Sequence, residues 1–279
     1  MRDTVEKYMS EKMTARGVFF CAGLFLLSAC AVDSTEVDDS DLIADILVQN
    51  DNGVSSAVVN LSVDDLSGNT DVNLIRQESI FYSHNGEEDG LEERDDGEYV
   101  VAVPDNSPGL YTFTIVRRAE TVFEDSNRPA SLREIHNNQV FLPEMFQELQ
   151  VDPVQTGSGV NISWRLDDTF QSVNGFSTRA AVESFSAIGI CQNSDGSLDV
   201  AITDGEFIPQ GNSVLLEIAV AEHLTQELGL SGVALVETTC EFDIQLVRDI
   251  SGTIYTALNR DSTALGQVLQ NLMVQWAAQ

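Results

Sequence analysis

Histidines, serines and carboxylates build most hydrolytic and metal sites, so their spacing sets the chemistry a chain could perform. His84, His136 and His223 lie far apart, with no His-x-His or His-Glu-x-x-His spacing. A zinc site would need the fold alone to gather its ligands. Gly53-Val54-Ser55-Ser56-Ala57 is close to the Gly-x-Ser-x-Gly nucleophile elbow, but an elbow needs a strand before its serine and a helix after it. Here the turn-forming Asn50-Asp51-Asn52-Gly53 comes first and a strand pattern comes after. Asp167-Asp168 pairs carboxylates as glycoside hydrolysis does, in a chain with 45 acidic residues where such neighbours arise by chance. The densest acidic stretch runs from Asn85 to Gly97 and contains Glu87, Glu88, Asp89, Asp95 and Asp96. Calcium takes about six to eight oxygens, which an acidic glycine-containing loop can supply. These five carboxylates are therefore the candidate calcium ligands, although the order is not that of an EF-hand and Arg94 interrupts it. No catalytic constellation emerges, so a non-enzymatic role is expected. A carboxylate-based carbohydrate-active hydrolase and a calcium-dependent adhesin are the alternatives.

The cysteines carry a clearer signal. Arg2, Lys7, Lys12 and Arg16 precede an apolar run from Val18 to Leu27, which ends in Leu27-Ser28-Ala29-Cys30. Basic, apolar and small-residue segments in that order read as an export signal, and translation from Met1 or from Met13 preserves it. The run is about ten residues, where a spanning helix needs roughly 20. Leu27-Ser28-Ala29-Cys30 resembles the lipobox of bacterial lipoproteins. The resemblance implies cleavage after residue 29 and acylation of Cys30, with palmitate among the chains, giving a membrane anchor at the N-terminus. Ala31 comes directly after Cys30, which is similar to lipoproteins passed on to the outer membrane in enteric-type bacteria. An exported chain folds under oxidising conditions, so Cys191 and Cys240, the remaining pair, are expected to form a disulfide.

Composition bounds the partners. Residues 1–29 remove three acids and four bases from the whole-chain 45 and 14, leaving 42 and 10 and a net charge of −32. Lys7 and Lys12 are the only lysines, so the part after the signal has none. That charge repels phosphate backbones, whose binding depends on Lys/Arg neutralisation, and excludes nucleic acid. The expected partners are the membrane, through Cys30, and an envelope protein or polysaccharide. The expected location is the cell envelope at the outer membrane.

The elements that must position these residues read as strands. After the signal peptide at 1–29, residues 30–41 are short, acidic and aperiodic, the composition of a disordered tether. From Leu42 the chain alternates in short Val-, Ile-, Tyr- and Phe-rich segments between Asn/Asp/Gly turns, as at Ala57–Val63, Tyr99–Val103 and Tyr111–Val116, which predicts an all-β fold. Asp95-Asp96-Gly97-Glu98-Tyr99 is similar to the tyrosine corner of immunoglobulin-like sandwiches. Val160, Ile162 and Trp164 alternate as in an early fibronectin-type strand, with Trp164 turned to the core. Cys240, Phe242, Ile244 and Leu246 share one parity, which turns Cys240 inward. Two tandem immunoglobulin-like β-sandwich domains are therefore expected, at 42–142 and 143–279. At the C-terminus Leu265, Val268, Leu269, Leu272, Met273 and Trp276 fit helical spacing, while Leu272, Val274 and Trp276 also alternate. The surrounding pattern favours a closing strand.

Overall fold

The computed structural model describes residues 31–65, 68–75, 77–104, 106–118, 132–151, 159–165, 182–192, 198–207, 213–217 and 239–277. Alternation does what it promised: these residues form strands, one short 3-10 turn and no α-helix. The first half of the chain contributes β1 (Val32–Asp33), β2 (Leu42–Asp51), β3 (Val54–Asp65), β4 (Gly68–Asn73), β5 (Ser79–His84), β6 (Glu87–Gly90), β7 (Glu92–Asp95), β8 (Glu98–Val103), β9 (Gly109–Arg118) and β10 (Leu132–Leu142). The second half adds β11 (Gln147–Val151), β12 (Gly159–Arg165), β13 (Val182–Gln192), β14 (Leu198–Phe207), β15 (Ser213–Glu217), β16 (Thr239–Ser251) and β17 (Thr263–Ala277).

Two asparagine–glycine pairs set the tight hairpins. Asn52 and Gly53 join β2 to β3 with φ of 49° and 89°, and Asn85 and Gly86 join β5 to β6 with 51° and 85°. Positive φ at both central positions gives a two-residue turn whose twist matches the strands it joins, and asparagine followed by glycine tolerates it best.

A ten-stranded sheet runs in the order β1-β4-β3-β2-β17-β16-β13-β14, with β8 on β3 and β7 on β8. Two smaller sheets accompany it, β10-β9-β5-β6 and β11-β12-β15. The inward residues of β2, Leu42, Ala44, Ile46 and Val48, share a core with Ile80, Tyr82, Tyr111, Phe113 and Ile115 of the four-stranded sheet. A second core joins Ile162 and Trp164 of β12 to Phe185 and Ala187 of β13 and Phe242, Ile244 and Leu246 of β16. Trp164 is core packing, as its parity predicted, and Phe146 meets it edge-on at 5.1 Å.

The expected break at residues 142/143 does not appear in the strand order. Residues 31–279 form one compact unit, because the last strand returns to the first half. β17 pairs with β16 along its length, Ser251 opposite Leu265 through Thr239 opposite Ala277. It also pairs in parallel with β2, Thr263 opposite Asp45 through Leu269 opposite Asp51. Its inward residues divide accordingly: Ala264 and Val268 enter the first core, and Val274 and Leu272 the second. Gly266 sits on the same strand, where a Cβ would lie 1.9 Å from the Phe141 carbonyl oxygen of β10. Only a residue without a side chain lets β10 approach this closely. The helical spacing at the C-terminus loses because β16 and β2 offer hydrogen-bond partners on both edges.

The tether also departs from expectation. Residues 31–41 are ordered against the fold, with β1 parallel on the edge strand β4, Val32 opposite Val72.

The upstream hydrogen bond expected of Tyr99 is made by Tyr111 instead. The Tyr111 hydroxyl donates to the Ser107 carbonyl four residues back, at 2.8 Å. Ser107-Pro108-Gly109-Leu110-Tyr111 has the same Gly-x-Tyr spacing as the 95–99 segment. Tyr99 instead reaches across the fold, its hydroxyl oxygen accepting the Leu74 N–H at 2.7 Å. Burial pushes the Tyr99 phenol up to about 12.

Candidate functional site

Cys30, the predicted anchor, lies outside the described residues. The acidic segment next to it, from Val32 to Asp39, is held against the fold by buried polar contacts. After β1, Ser34–Glu36 make one 3-10 turn. The Val37 N–H closes this turn on the Ser34 carbonyl at 3.3 Å. Ser34 is fully buried and Val37 enters the first core. The Ser34 hydroxyl donates to the Glu78 carboxylate, and the same Glu78 oxygen accepts the Ile75 N–H at 2.9 Å.

Arg117 of β9 organises the cluster and is only 4% exposed. Its Nη1 donates to Asp39 Oδ1 at 2.6 Å, and its Nη2 donates to the carbonyls of Ser34 and Val37. A guanidinium suits this task because its planar fork serves several acceptors at fixed angles. A buried charge is tolerable only when so paired. Removing the segment would therefore strand a cation in the core. One signal in the sequence points here: Arg117 continues the inward parity of Tyr111, Phe113 and Ile115, and an arginine on a buried face demands acceptors from elsewhere.

The acidic stretch from Asn85 to Gly97 is divided by the fold. Glu87, Glu88 and Asp89 stand on β6, which pairs with β5 in the four-stranded sheet. Asp95 ends β7, which pairs with β8 in the large sheet. Leu91 between them is buried, and its N–H donates to the Ile80 carbonyl at 2.9 Å, so the chain steps from one sheet to the other at that point. Asp95 and Asp96 serve the turn into β8: Asp95 Oδ1 accepts the Asp96 N–H and Asp96 Oδ1 accepts from Asn73. Among the described residues, no group of three or more His, Cys, Asp or Glu side chains stands close enough to hold a metal ion.

Cys191 and Cys240 meet as predicted. They are directly opposite on β13 and β16, buried, with sulfur atoms 2.07 Å apart. The bridge staples neighbouring strands inside the second core.

A second buried ion pair lies at the other end of β13. Arg248 Nε donates to Glu183 Oε1 at 2.8 Å, its Nη1 donates to the Glu144 carbonyl at 3.0 Å, and its guanidinium lies 4.2 Å from the centroid of the Phe146 ring. Glu183 Oε2 has no partner among the described residues. Burial raises the Glu183 carboxyl above its ordinary value, outweighing the attraction of Arg248.

His84 is structural: its ring stacks on Tyr111 at 3.9 Å, with Nδ1 2.9 Å from the Leu110 carbonyl and Nε2 2.7 Å from the Ser107 hydroxyl. His136 lies on β10. His223 and the Asp167-Asp168 pair fall outside the described residues.

No protein-family model matches this chain, and no curated protein matches it.

Proposed function

We propose that the chain is an exported lipoprotein, acylated on Cys30, whose β-sandwich body serves as a non-enzymatic structural, adhesive or assembly module of the cell envelope at the outer membrane. The observation that carries this reading is the apolar run closing on Leu27-Ser28-Ala29-Cys30. Cleavage before Cys30 would leave the compact unit Ala31–Gln279 whole, which supports that position for the anchor. The Cys191–Cys240 bridge supports an oxidising compartment, since such bonds persist outside the cytoplasm. Two or three acyl chains would hold the protein durably, each buried methylene contributing roughly 0.8 kcal/mol. Its partners would be an envelope protein or polysaccharide met at that surface.

Metabolic labelling with radioactive palmitate tests the reading. Label should enter the parent protein and be absent from Cys30→Ala, and label persisting in the variant would refute it.

A further inference from the structure

One residue separates the proposed anchor from the folded edge. Two chain steps of about 3.8 Å keep the Cys30 Cα within roughly 7.6 Å of the Val32 Cα, and Val32 is already paired with Val72 of β4. A disordered tether of eleven residues would have let the body drift by about 36 Å. The ordered segment removes that freedom, since Ser34 is fully buried and Arg117 holds the Ser34 and Val37 carbonyls and the Asp39 carboxylate. The register also gives a direction. β1 runs parallel to β4 with Val32 level with Val72, so the chain arrives from the side of Asn69–Asp71, and Asn69 is exposed there.

We propose that residues Val32–Asp39 form a docked strap that fixes the body's orientation on the lipid surface, with the β1–β4 edge against the headgroups and the β13–β14 edge turned away. This rests on the reading of Cys30 as the lipid anchor. The net charge of −32, the chain's −31 less the +1 of residues 1–29, makes an anionic leaflet repulsive, so the surface this edge fits is zwitterionic.

The full-length lipidated protein is reconstituted in phosphatidylcholine vesicles containing a lipid with a nitroxide on its headgroup. A fluorophore is placed through Asn69→Cys on β4 or Ser186→Cys on β13. Five strand spacings of about 4.8 Å put these sites roughly 24 Å apart across the sheet, and the pairing register offsets them by a further stretch of about 40 Å along the strands. Quenching at residue 69 should exceed that at 186 several-fold. Arg117→Ala should bring the ratio toward one by releasing the strap. Because that variant could lose its fold, a second one inserts a flexible Gly/Ser linker of about twelve residues between Ala31 and Val32. It keeps the strap docked but frees the anchor by about 20 Å, and should equalise quenching as well.

Equal quenching in the parent, with palmitate on Cys30, overturns the orientation while leaving the anchor standing. A several-fold ratio that survives the linker insertion overturns it too. Absence of palmitate on Cys30 overturns both readings.

Discussion

Replacing Gly266 by alanine puts one methyl group where β10 and β17 touch. The added Cβ would lie 1.9 Å from the Phe141 carbonyl oxygen and 2.6 Å from its carbon. An ordinary carbon–oxygen contact is about 3.3 Å, so one strand must retreat by roughly 1.4 Å. The obstacle is backbone, and β10 is pinned there by the paired Gln139 and Thr253 hydrogen bonds at 2.7 Å, so no rotamer change relieves it. Overpacking of this kind costs about 3 kcal/mol, the upper end of the usual range. For a body of this size that is a fall of about 6–12 °C in the melting midpoint. Gly53→Ala is the control: its φ is 89° but nothing lies within 4 Å of the new Cβ, so only backbone strain of about 1 kcal/mol applies. Melting is monitored by near-ultraviolet circular dichroism, in which Tyr82, Tyr99 and Tyr111 report the first core and Trp164 the second. Because β17 lines both cores, the tyrosine and tryptophan transitions should coincide and fall together. If Gly266→Ala melts like Gly53→Ala, or if the two signals separate, β17 does not couple the two cores.

The same packing sets three further outcomes. The double variant Cys191→Ala/Cys240→Ala opens a loop spanning a sequence separation of 49, which in the chain-entropy model lowers stability by about 4 kcal/mol; urea unfolding of the variant beside the oxidised parent checks it. Tyr111→Phe removes the bond to the Ser107 carbonyl, costing about 1 kcal/mol, whereas a change confined to a surface tyrosine would leave the urea midpoint in place. Glu183 has a folded-state pKa above its ordinary 4.5, so between the two values the native state binds more protons than the unfolded chain. Stability should therefore fall as pH rises from 4.5 through the folded pKa, and Glu183→Gln should remove that component of the slope in urea titrations run across the window.

Local patterns were legible wherever a residue's neighbours in sequence decide its conformation. Asn52-Gly53 and the alternation in Tyr111–Val116 read as turn and strand because backbone sterics and two-residue periodicity are local properties. The inward parity of Cys240, Phe242, Ile244 and Leu246 was enough to bring Cys240 to the bridge. The strap failed the same reading, since Ala31–Asp41 has the composition of a solvated tether and nothing within it reveals Arg117. The placement of the acidic stretch was hidden for the opposite reason: Glu87, Glu88 and Asp89 went to one sheet and Asp95 to the other, divided at the buried Leu91, and nothing in their closeness along the chain foretold it.

From residue types alone came the all-β class, the inward cysteine, the strong negative charge and the anchor expectation at Cys30, because these depend on composition, periodicity and a short motif. The tertiary structure alone decided that β17 lies between β2 and β16, that one sheet backs both cores, and that the acidic N-terminal segment is clasped to the fold. Those outcomes depend on which backbone edges and buried charges found partners some 80 to 220 residues away, as in the bonds from Arg117 to Val37 and from Asn271 to Asn52. Hydrogen-bond satisfaction at that range is a property of the packed molecule.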